Sequence, residues 1–186
     1  MKQRRFIRSK IIDAWQRCIE GDYCNQRINS ERSLQASFWS HLNASLPKTR
    51  RLFIEPSLTV RSRSGVQRII PDIVVCNTKE VISVVELKYL PRTQPRYKKD
   101  IESLSTIAKN RKRLSITNDR FKGSEQDATV YSLSENVLFV WAGVHAHERS
   151  NAGALYSEGY PSLEGCFLQL HAVTQKHKNP LIVSRR

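Results

Sequence analysis

The sequence predicts a mixed fold of the α/β or α+β class, with a central mixed sheet flanked by helices. Three observations carry this. Two stretches near the N-terminus repeat apolar residues at helical spacing. Two apolar, β-branched runs within residues 69–89 flank a polar break. A further helical stretch then precedes another apolar run at residues 136–144.

Residues 3–20 read as a helix because Ile7, Ile11, Trp15 and Cys18 recur at spacings of four, four and three, and Gly21-Asp22 interrupts it. Residues 30–46 read as a second helix, with Asn29 or Ser30 able to cap it. Leu34, Phe38, Leu42 and Leu46 form its inward stripe, and Pro47 stops it. Residues 51–60 and 68–76 have strand character around the basic turn Arg61-Ser62-Arg63-Ser64-Gly65. Asn77-Thr78-Lys79 marks a second turn before the apolar run that ends at Tyr89. Pro91 and Pro95 mark a linker, and residues 96–114 fit a helix with Tyr97, Ile101, Leu104 and Ala108 on one side. The polar segment 115–135 reads as a loop, 136–144 as a buried strand and 145–162 as a loop. Segments 165–173 and 180–183 fit a helix or an edge strand equally. At 186 residues the chain is expected to be a single domain, 1–186. Helix 3–20 is an addition to a core of about 30–144, with a C-terminal extension at 145–186.

An apolar content of 39% fits a globular chain. The charge is less ordinary, since 31 Lys and Arg face 17 Asp and Glu, a net of +14. Residues 1–123 carry 26 basic and 11 acidic side chains, whereas residues 124–186 carry 5 and 6. A basic half of this kind implies a polyanionic partner, most simply nucleic acid. The four cysteines form no Cys-x-x-Cys pair, so structural zinc and a disulfide framework are not expected. No apolar run approaches the roughly 20 residues needed to span a bilayer, and no signal core follows Arg5. A cytoplasmic protein without a membrane partner is expected. No phosphate-binding loop, dinucleotide fingerprint or serine-hydrolase elbow is present.

Three charges stand inside the apolar runs: Asp72, Glu86 and Lys88. Buried charges must be paired or bound to something. With the turn centred near Lys79, Asp72 and Glu86 fall opposite each other on neighbouring strands, and Lys88 shares a face with Glu86. Two carboxylates that close repel unless a cation joins them, and their hard oxygens suit Mg²⁺ or Mn²⁺. Such an ion lowers the pKa of a bound water and neutralises charge on a phosphodiester. A plain salt bridge of Lys88 to Glu86 or Asp72 is the competing reading.

At these residues the chain resembles the PD-(D/E)XK nuclease superfamily: Pro71-Asp72 is followed by Glu86-Leu87-Lys88, and a helix comes next. The resemblance implies a restriction-endonuclease-like core of helix, three antiparallel strands, helix and strand over roughly residues 30–144. It implies Asp72 and Glu86 as metal ligands and Lys88 as the group that positions or activates water. It also implies an acid on the first core helix, where Glu31 stands with Gln35 one turn on. Glu55 is a weaker candidate.

The implied activity is Mg²⁺- or Mn²⁺-dependent endonucleolytic hydrolysis of phosphodiester bonds, in DNA rather than RNA. Arg61, Arg63, Arg68, Lys98, Lys99, Lys109, Arg111, Lys112 and Arg113 are the expected phosphate contacts. Alternatives are a non-catalytic nucleic-acid-binding protein on the same fold, or a structure-selective junction resolvase. A homodimer or partner proteins of a larger nuclease system would suit either enzyme. His145 and His147 would share a strand face, but they lack an obvious third metal ligand.

Overall fold

The computed structural model describes residues 2–62, 65–122, 125–146 and 155–186. Helix α1 (Lys2–Arg17) runs on through a π-helical turn, Cys18–Tyr23. Its stripe of Ile7, Ile11, Trp15 and Cys18 is fully buried. Helix α2 (Glu31–Ser45) begins at Ser30, whose side chain and that of Ser33 satisfy each other's backbone N–H groups in a capping box. Leu34, Phe38 and Leu42 on α2 face the core.

Among the described residues, nine strands follow. They are β1 (Arg51–Ile54), β2 (Leu58–Ser62), β3 (Gly65–Ile69), β4 (Ile73–Cys76), β5 (Glu80–Leu90), β6 (Ser115–Lys122), β7 (Glu125–Ala146), β8 (Phe167–Gln175) and β9 (Lys178–Arg185). Helix α3 (Lys98–Lys109) joins β5 to β6. The main sheet has the order β1-β4-β5-β7-β8-β9, and β6 pairs with β7 beside it. β5, β7 and β8 run parallel, while the other pairs in this sheet are antiparallel. The sheet is therefore mixed, as the sequence predicts. β2 and β3 form a separate two-stranded ribbon.

Alternation along the strands feeds two cores. Ile73, Val75, Val85, Leu87, Val140 and Leu170 pack beneath α1 and α2. Val74, Cys76, Val84, Phe139 and Trp141 pack with Ile101, Leu104 and Ile107 of α3 on the opposite face. The succession α2, β1, β4, β5, α3, β7 is the order that the resemblance implies.

Several boundaries differ from expectation. The strand expected at 51–60 is broken at Glu55, which takes a positive φ of 49°, and at Pro56, which lacks a ladder donor. The strand expected at 68–76 is likewise broken at residues 70–72, which frees Asp72 from the ladder. The helix expected at 96–114 ends at Lys109, and Arg111–Arg113 form a separate 3₁₀ turn.

The expected loop at 115–135 is instead a hairpin. β6 pairs with the first part of β7 from Ser115–Ser132 to Lys122–Glu125. The two undecided C-terminal segments are strands β8 and β9. Among the described residues, no helix is long and apolar enough to cross a membrane.

Candidate functional site

The register of β4 against β5 aligns Ile73 with Val85, so one step outward Asp72 stands opposite Glu86. Asp72 is pinned through its backbone. Its carbonyl accepts hydrogen bonds from the Gln35 amide at 3.0 Å and from the Glu55 N–H at 3.0 Å. Its carboxylate accepts the Leu87 N–H, which fixes the side chain against β5. Glu86, itself buried, faces the Asp72 carboxyl across the β4–β5 pair.

Two carboxyls in one buried place cannot both ionise freely. Burial, then the charge of Glu31, pushes Asp72 up to about 6 against the pull of the Leu87 N–H and Lys88. Burial and the charges of Asp72 and Asp100 hold Glu86 well above the usual carboxylate range. Both carboxyls are therefore held toward their protonated forms, and a bound divalent cation would favour the ionised ones.

Lys88 lies beyond Glu86 on the same strand face, and two helices grip its ammonium from opposite sides of the sheet. Glu31, in the first turn of α2, is 3.7 Å away through Oε2, which also accepts the Tyr89 N–H at 3.1 Å. Asp100, in the first turn of α3, is 3.6 Å away through Oδ1. Burial alone would lower the Lys88 pKa. The combined charges of Asp100, Glu31, Asp72 and Glu86 outweigh it, so the group is held above its ordinary value. Four acidic side chains thus surround one ammonium, so the cluster cannot ionise fully without a further cation.

Asp72, Glu86, Lys88, Glu31 and Gln35, anticipated from sequence, come together here. Glu55 contributes only its backbone N–H, since its side chain is exposed. Asp100 and its partner Trp141, whose indole N–H donates to Asp100 Oδ2 at 3.2 Å, were not anticipated. The available signal was an acid three residues into a helix that directly follows the motif strand.

Arg68, Lys98 and Lys99 are exposed. Lys109, Arg111, Lys112 and Arg113 lie at the far end of α3, more than about 13 Å from Asp100 at a rise of ~1.5 Å per residue. Arg111 donates to the carbonyls of Ala108 and Glu135. Arg63 and the side chain of Arg61 fall outside the described residues, as does His147. His145 is instead hydrogen-bonded across the β7–β8 pair to His171, at 2.9 Å between Nε2 and Nδ1.

Among the described residues, no group of three or more His, Cys, Asp or Glu is arranged as a metal cage. Asp72 and Glu86 fit a looser arrangement, because Mg²⁺ is commonly held by one or two carboxylates with the remaining positions taken by water. The donor set is all hard oxygen, and its charge deficit is of the kind a divalent cation fills.

No protein-family model matches the chain, and no curated protein matches it. Among solved structures it is similar to P. aeruginosa NucC in its cAAA-bound form. The likeness spans 98% of this chain and 83% of that one, with 12% identity and a TM-score of 0.46.

Proposed function

We propose that this chain is a divalent-metal-dependent endonuclease that hydrolyses phosphodiester bonds, in DNA rather than RNA. The observation that carries the reading is the convergence of Asp72 and Glu86, opposed across β4 and β5, beside Lys88 on a chain of net charge +14. Asp72 and Glu86, with Glu31 as a further acid, would hold Mg²⁺ or Mn²⁺. When bound, the ion neutralises charge on the scissile phosphate and makes water a stronger nucleophile at neutral pH.

The chain's own residues do the rest. The Gln35 and Leu87 contacts keep Asp72 in place, so the ligand pair needs no rearrangement to accept the ion. The Lys88 ammonium orients the attacking water and stabilises the negative charge that builds on the phosphate. Exposed Lys98 and Lys99, at the start of α3 beside Asp100, contact phosphates near the site, and Arg68, Lys109, Lys112 and Arg113 contact them elsewhere. Such an enzyme would act in the cytoplasm, as a homodimer or with partner proteins.

Purified protein is expected to cut plasmid DNA with Mg²⁺ or Mn²⁺ and not with EDTA. Lys88→Ala and Asp72→Ala are expected to abolish cutting while each variant keeps a cooperative thermal transition. Variants that cut as fast as the wild type would sink the proposal.

A further inference from the structure

The grip of α3 on Lys88 extends the reading above and rests on it. Asp100 is the third helical residue of α3, a place where an acid usually turns back toward the free N–H groups of its own helix. Here it turns into the sheet and is buried. Both carboxylate oxygens are engaged there, Oδ1 with the Lys88 ammonium at 3.6 Å and Oδ2 with the Trp141 indole at 3.2 Å.

Trp141 is itself held in a constrained way. It pairs with Glu86 across the parallel β5–β7 ladder, and Gly143 pairs with Lys88 two residues on. A Cβ at Gly143 would land on the six-membered ring of Trp141. The indole therefore lies along the strand over a residue without a side chain, in the space beside Lys88. Tyr156 packs edge-on against it from the other side, with ring centroids 4.9 Å apart. The glycine leaves the room, the indole fills it, and its N–H is aimed at Asp100.

We propose that Asp100 is a positioning residue that holds the Lys88 ammonium in its catalytic place, and that the Trp141 indole over Gly143 fixes Asp100. Glu31 alone would leave the lysine tethered from one side of the sheet, by a side chain that is 45% exposed. Asp100 supplies the second, buried tether and stops the four-carbon stem from swinging into solvent. Asp100 need not touch the metal or the substrate, which separates its role from those of Asp72 and Glu86.

The test compares Asp100→Asn and Asp100→Glu with wild type in the full chain. Steady-state cleavage of plasmid DNA with Mg²⁺ gives kcat and KM, calorimetric titration with Mn²⁺ gives metal affinity, and thermal melting reports the fold. The amide is isosteric, still accepts the Trp141 N–H and removes a buried charge, so it should fold. Its kcat is expected to fall about 10- to 100-fold, the size typical of supporting groups, with KM, Mn²⁺ affinity and melting temperature held. The glutamate keeps the charge and should recover part of that loss.

An amide variant with wild-type kcat would overturn the assignment, and so would a glutamate variant no better than the amide. A large loss of Mn²⁺ affinity would make Asp100 a ligand, and a lower kcat with a raised KM and a lower melting temperature would make it merely structural. Wild-type protein that does not cut overturns the function proposed above. Wild-type protein that cuts beside an equally fast Asp100→Asn overturns only this inference.

Discussion

Replacing Asp72 with Asn is expected to stabilise the metal-free protein while destroying the activity proposed for it. The magnitude follows from the site. Burial lifts the Asp72 carboxyl from an ordinary 3.8 to about 6, roughly two units. At 1.36 kcal/mol per unit, ionising Asp72 in the folded state costs about 3 kcal/mol relative to the unfolded chain. This is an upper figure, because Asp72 and Glu86 titrate as a pair.

The sign is set by which state binds more protons. Below pH 3.8 the carboxyl is protonated in both states and nothing is lost. As the pH rises from there through about 6, the folded state holds the proton longer and stability falls. Above that window the loss is complete. Asparagine carries no charge to bury, and its amide oxygen can still accept the Leu87 N–H.

Thermal melting in EDTA should place Asp72→Asn up to about 6–12 °C above wild type at pH 8, given a shift of ~2–4 °C per kcal/mol for a chain of this size. Near pH 4 the gap should close. Mn²⁺ at 100 times its dissociation constant should then return about 2.7 kcal/mol to the wild type and little to the variant. A variant no more stable than wild type at pH 8, or more stable by the same margin at pH 4, would refute the reasoning.

Two further substitutions test the surroundings of the site. Gly143→Ala should displace the Trp141 ring and cost about 1–3 kcal/mol through overpacking. If Trp141 acts through Asp100, the variant's kcat should also fall with KM unchanged, and loss of stability without loss of kcat would break that link. Arg4 belongs to a basic N-terminal cluster, yet its guanidinium donates to the carbonyls of Asn136, Gly165 and Glu135 at 3.3, 3.0 and 3.4 Å. Arg4→Ala should therefore lower stability by about 1–3 kcal/mol. It should leave the salt dependence of DNA binding unchanged, whereas loss of a true phosphate contact would flatten the log–log slope by ~0.9.

What was legible in the sequence is what short-range physics determines. The stripes of α1 and α2 and the opposition of Asp72 to Glu86 each depend on residues within about twenty positions, where periodicity and turn placement suffice. The β6–β7 hairpin is not legible in the sequence because, among the described residues, β6 pairs only with β7 and carries the polar run Ser-Ile-Thr-Asn-Asp-Arg-Phe-Lys. It has little of the apolar signal that marks a central strand. Strand alternation puts His145 on one face with His147. Its actual partner, His171, is 26 residues away and comes beside it only through the parallel pairing of β7 with β8.

Asp100 was hidden for the same reason. An acid in the first turn of a helix has a sufficient local explanation, and its partner Trp141 lies 41 residues on. The parallel pairing of β5 with β7 brings Glu86 beside Trp141 and Lys88 beside Gly143, and so builds the site at the carboxyl ends of β5 and β7. Open sheets with helices on both faces offer a crevice at such strand ends, because the chain must leave them for its crossovers. Only there can side chains from α2 and α3 reach one lysine from opposite faces of a sheet that elsewhere is sealed with valine and isoleucine. The charge deficit has no structural benefit in that position. Burying Asp72, Glu86 and Asp100 there burdens the metal-free fold, and the Asp72→Asn melting curve measures the share of that burden that falls on Asp72.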